Sequence, residues 1–92
     1  MVKLKTLPNR YILLDSKNPI IQNQIIELFK DNDIRIYSGT SKFDKKYPYL
    51  IWEEGYLSQR RTNENLQNQY HIIKTKEEFL SLFFDLNVIH EL

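Results

Sequence analysis

The chain has 92 residues, 41% hydrophobic and 27% charged, with a net charge of +1 and no cysteine. One α+β domain over residues 1–92 is the expectation, since that length buries a small core without staples. The missing thiols exclude a disulfide framework and cysteine-based zinc sites and fit a reducing cytoplasm. The near-neutral balance argues against a general nucleic-acid coat. No apolar run is long enough for a membrane span, and no signal-peptide core is visible.

Residues 11–14, an apolar run after Pro8-Asn9, read as the first strand. Asn18-Pro19 then marks a helix start, with Asn18 as N-cap and Pro19 at the first helical position, where a missing N–H does no harm. Ile21, Ile25, Leu28 and Phe29 share a stripe at helical spacing, and Asn23, Glu27 and Lys30 face away. Asp31-Asn32-Asp33 ends the helix, with Asn32 in the left-handed region. Residues 34–37 read as a second strand, Ile34 and Ile36 on one face, Arg35 and Tyr37 on the other. Residues 38–41 form a turn, and a lysine-rich run, Lys42 to Lys46, follows.

The stretch from Tyr47 to Gln59 holds the single Trp, three of six Tyr and one of two Gly. Tyr49 to Trp52 suits a pleated surface, with Leu50 and Trp52 on one side and Tyr49 and Ile51 on the other. Apolar groups on both faces place this strand in the middle of the sheet. Glu53-Glu54-Gly55 reads as a hairpin turn and residues 56–59 as the returning strand. Residues 60–69 are polar enough to form a loop. Residues 70–73 are a further strand. Thr75 to Glu78 is a capping box opening a helix that runs to Leu86, with a wide apolar face of Phe79, Leu80, Leu82, Phe83, Phe84 and Leu86. The order β-α-β-β-β-β-α predicts a two-layer α+β sandwich. It consists of a mostly antiparallel sheet of four to five strands, with both helices on one face.

Aromatic and basic residues interleave around the hairpin: Lys42, Lys45, Lys46, Tyr47, Tyr49, Trp52, Tyr56, Arg60 and Arg61. Rings stack on bases and cations hold phosphates, so these residues are a candidate ligand- or partner-binding face. The alternative is that the rings are core and the charges a solvated rim. The surplus apolar face of the last helix, Leu80 and Phe84 with the tail residues Val88 and Ile89, is a candidate interface for a partner or a homodimer. The pairs Glu53-Glu54 and Glu77-Glu78 are neighbours that do not face each other across a cleft, and Glu77-Glu78 suits a helix N-terminus. Two His make no metal motif, and no phosphate loop or nucleophile elbow is present. No catalytic residue, metal or cofactor is assigned, and an enzyme is not expected.

The pattern over residues 11–14, 20–29, 34–39, 47–52 and 72–83, with its Tyr-Pro-Tyr-Leu central strand, resembles that of small phage and prophage accessory proteins of low-GC bacteria. The resemblance implies a role in phage–host conflict, as an anti-CRISPR-like inhibitor or a sponge for nucleotide signals, acting by binding. The leading expectation is therefore a non-enzymatic protein that inhibits a host bacterial defence protein by direct contact. The alternatives are a nucleotide or oligonucleotide capture module using Lys46, Tyr49, Trp52, Arg60 and Arg61, and a structural subunit of a larger assembly.

Overall fold

The computed structural model describes residues 4–37, 39–40, 42–61 and 69–85. Four strands, β1 (Ile12–Leu14), β2 (Tyr49–Glu53), β3 (Tyr56–Arg60) and β4 (His71–Ile73), make one sheet in the order β3-β2-β1-β4. β2 pairs antiparallel with both β3 and β1, and β1 pairs parallel with β4. Helices α1 (Pro19–Asp31) and α2 (Lys76–Leu80) pack on the same face, giving the α+β architecture.

The start of α1 follows from its side chains. Asn18 Oδ1 accepts from the Ile20 and Ile21 amides at 2.9 and 3.3 Å, and Pro19 occupies the first turn. These bonds satisfy donors that the helix itself leaves orphaned. The buried face is Gln22, Ile25, Ile26 and Phe29, at steps of three, four and seven. Ile21 and Leu28 flank it half-buried, so the face is rotated slightly from the expected stripe. The helix ends in a Schellman closure: Ile34 N–H donates to Phe29 C=O and Asp33 N–H to Lys30 C=O. The left-handed residue is Asp33, at φ 56°, and not Asn32, whose φ is −110°. Asn32 instead donates its side-chain amide to Leu28 C=O.

Residues 34–37 do not form the expected strand. They lie beside β3 through one parallel bridge, Ile36 to Leu57, with Leu57 N–H donating to Arg35 C=O and Tyr37 N–H to Leu57 C=O. The helix closure at Asp33 and a turn from Thr40 N–H to Tyr37 C=O leave too little extended chain for a longer ladder.

The hairpin forms around a two-residue turn, Glu54-Gly55, both at positive φ (53° and 84°), the type I′ geometry that matches strand twist. Glu53, expected in the turn, is the last residue of β2. β2 is central, and all five of its residues are buried. Leu50 and Trp52 join the main core, and Tyr49 and Ile51 join a second cluster with Leu13 and Tyr70. At the centre of the main core, Phe29 meets the rings of Trp52, Phe79, Phe83 and Phe84 at centroid distances of 4.9–6.2 Å.

Thr75 caps α2 by accepting from the Glu78 amide at 3.1 Å. The helix stops at Leu80 rather than running to Leu86. Beyond it three-residue bonds set in (Leu82 N–H to Phe79 C=O, Phe83 N–H to Leu80 C=O) beside one last four-residue bond from Phe84 N–H to Leu80 C=O. Phe83 C=O accepts from Lys5 N–H while Phe84 bridges to Leu4. The amino-terminal segment thus takes over where helical bonding ends. The expected loop is outside the described residues over 62–68, as is the carboxyl-terminal tail from 86 onward. Among the described residues no helix is long and apolar enough to cross a membrane.

Candidate functional site

The residues proposed from sequence divide by burial. Trp52 is 1% exposed, packed on Phe29 and Phe83, and its indole N–H donates to Pro8 C=O at 3.2 Å. Tyr49 is buried, with Lys17 Nζ 5.2 Å from its ring centroid. Neither ring can stack on a ligand. Leu80 and Phe84, expected at an interface, are buried in the main core, because the tightened turn after α2 aims Phe83 and Phe84 inward. Val88 and Ile89 lie outside the described residues.

Arg60 is engaged within the chain. Its guanidinium pairs with Glu53 Oε1, and the Tyr70 hydroxyl donates to Glu53 Oε2. Burial alone would lower the Arg60 pKa, but the Glu53 carboxylate outweighs it and raises it. Burial first, then the bond to Glu53, pushes the Tyr70 hydroxyl well above its ordinary range. This cluster ties the end of the hairpin to the entry of β4. Glu53 and Glu54 diverge, one buried in the sheet and one exposed in the turn.

The remaining candidates gather beside β3, along whose outer edge residues 34–37 run and near which residues 42–47 lie. Tyr37 and Tyr47 are the most exposed of the six tyrosines, at 57% and 44%. Together with Gly39, Thr40 and Gln59 they line a cleft of about 310 Å³. A second hollow of about 330 Å³ is lined by Gly39, Lys42, Phe43, Asp44, Lys45 and Gln59, so the two meet at Gly39 and Gln59. Tyr37 packs on Tyr56 at 5.9 Å, and the Arg35 guanidinium lies 6.0 Å from the Tyr56 ring. Lys46 and Arg61 are exposed outside both linings.

This loop is held by side chains from the regular elements. Gln59 on β3 donates to Lys42 C=O at 3.0 Å, and Asn23 on α1 accepts from the Phe43 amide at 2.7 Å. Asp44 accepts from the Lys46 amide at 2.9 Å and its carbonyl from the Tyr47 amide at 3.0 Å, which closes the lysine turn and sets Tyr47 at the rim. The result is a preformed aromatic recess adjoining a basic one.

Sequence reasoning placed Lys42, Lys45, Tyr47 and Tyr56 in this region and missed Tyr37 and Gln59. The signal for Tyr37 was present: it alternates with Ile36 and shares the outward side with Arg35. Among the described residues no group of three or more His, Asp or Glu is placed to hold a metal ion. Comparisons with protein-family models, curated proteins and solved structures find no match.

Proposed function

We propose that this chain is a non-enzymatic binding protein that captures a small ligand in the cleft lined by Tyr37 and Tyr47. The observation behind this reading is that the two most exposed tyrosines line one recess whose loop is pinned by Asn23 and Gln59. Exposed rings on a fixed loop lose little conformational freedom on binding. In the phage–host setting that the resemblance implies, such a protein withholds a signal from its receptor. Native mass spectrometry of gently purified protein tests it. A non-covalent adduct that disappears on denaturation and is absent from Tyr37→Ala is the expected result. Bare mass in both, with no compound bound in a small-molecule screen, would sink the proposal.

A second reading, direct inhibition of a host defence protein, is favoured by a different observation. Ile20 is 68% exposed on the outer side of α1, and with Asn23, Gln24, Glu27, Leu28 and Asp31 it borders a shallow depression of about 550 Å³. Exposed apolar groups rimmed by polar ones suit a protein contact. Ile20→Glu, which leaves the core untouched, would then abolish a specific pull-down. A pull-down unchanged by that substitution excludes this face.

A further inference from the structure

Resting on the capture reading, we infer that the ligand is a nucleotide, its base in the Tyr37–Tyr47 recess and its phosphate in the Lys42–Lys45 hollow. Four observations lead there. The first recess offers two exposed phenol rings beside the half-buried amide of Gln59 and the Thr40 residue. That combination fits a flat aromatic ligand with hydrogen-bonding edges, because the rings supply stacking and the amide supplies both donor and acceptor. The second recess carries two lysines against one aspartate, and Asp44 already accepts from the Lys46 amide. A net positive hollow next to an aromatic one fits a ligand that is planar at one end and anionic at the other. A purely apolar ligand would leave the lysines unused, and a free phosphate would leave the tyrosines unused.

The two recesses are joined at Gly39, which is exposed and has no side chain to divide them. A Cβ there would come within 3.6 Å of the Tyr37 ring, an ordinary contact that needs no backbone change but would fill the passage. The size of the site sets the class further. Two hollows of about 310 and 330 Å³, on a chain whose net charge is only +1, suit a mono- or dinucleotide rather than a long strand.

The test is isothermal titration calorimetry on the full chain with the four common nucleoside monophosphates and the diphosphates, the matching nucleosides, inorganic pyrophosphate and a short single-stranded oligonucleotide. At least one nucleotide is expected to bind about ten-fold or more tightly than its nucleoside, the gap of one charge-assisted contact. Pyrophosphate alone should not saturate. Tyr37→Ala should weaken nucleotide binding by about five- to hundred-fold through lost stacking. Lys42→Gln with Lys45→Gln should erase the advantage of nucleotide over nucleoside while leaving the nucleoside affinity unchanged. Gly39→Ala should weaken the nucleotide more than the nucleoside, with the melting temperature retained. Equal affinity for nucleotide and nucleoside, or binding indifferent to the lysine pair, would overturn the assignment. So would an oligonucleotide outcompeting every mononucleotide with steep salt dependence. A Tyr37-dependent adduct whose mass is not a nucleotide would overturn the nucleotide and keep the capture reading. No Tyr37-dependent ligand of any kind would overturn both.

Discussion

Arg60→Met separates an arginine that holds the fold from one that holds a ligand. Arg60 stood among the candidate binding residues, yet its guanidinium pairs with Glu53, and Glu53 also accepts the Tyr70 hydroxyl. Methionine keeps the apolar stem and removes the charge. Breaking a fully buried pair from one side costs about 3–5 kcal/mol, whereas an exposed pair is worth about 0–1 kcal/mol. Here the Arg60 side chain is 48% exposed and that of Glu53 only 10%, so water screens one end and the carboxylate is left poorly solvated. The expected loss lies between the limits, at about 1–2 kcal/mol. At about 4–8 °C per kcal/mol for a domain of this size, the melting temperature should fall by roughly 5–15 °C. Circular dichroism melts measure it. The loss should shrink in a Glu53→Gln background, because the partner is already gone. Ligand affinity should stay unchanged. A variant that melts with the parent and has lost its ligand would refute the reasoning and return Arg60 to the binding surface.

Four further outcomes follow from named geometry. Tyr70 is held protonated by burial and by Glu53, so its folded pKa lies above the unfolded value of about 10. Its contribution is complete below pH 10 and is lost as pH rises beyond it. Urea midpoints between pH 8 and 11 should therefore fall at the alkaline end, and less so in Tyr70→Phe. Asp33→Gly relieves a left-handed residue at φ 56° and should stabilise by about 0.5–1 kcal/mol. Gly55→Ala, at φ 84° with nothing within 4 Å of the new Cβ, should destabilise by about 1 kcal/mol from backbone strain alone. Equilibrium denaturation reads both, and signs other than these would contradict the turn geometry. Phe29→Ala removes the ring that meets Trp52, Phe79, Phe83 and Phe84. At about 3–5 kcal/mol the loss is a large share of the roughly 5–14 kcal/mol available to such a chain, so the Trp52 near-UV signal should collapse at moderate temperature.

Local rules were legible where one residue decides the outcome. Asn18-Pro19 and Thr75 cap their helices as their chemistry requires, and Gly55 closes the hairpin. Apolar groups on both sides of Tyr49–Trp52 placed β2 in the middle of the sheet. The signals failed where a distant partner decides. Phe79 to Leu86 has helical periodicity throughout, but Phe83 C=O is taken by Lys5 N–H, 78 positions back along a line of sequence that carries no mark of the contact. Residues 34–37 alternate like a strand, but pairing is cut to a single bridge by turns on either side.

The candidate site moved for a reason of the same kind. An aromatic run reports that rings are wanted and not which of them face water. A large ring buries about 150–250 Å², worth about 4–6 kcal/mol at 25 cal/mol per Å², so any ring on a strand with a covered face is drawn inward. Trp52 and Tyr49 sit on β2, where both faces are covered, and they are buried. Tyr37 and Tyr47 lie outside the ladder, in a loop anchored by Asn23 and Gln59, and have no second layer to enter. Rings left exposed while their loop is fixed are the ones available to a ligand. The surface to examine in this chain is thus the border of β3, where regular pairing ends, and not the aromatic strand at its centre.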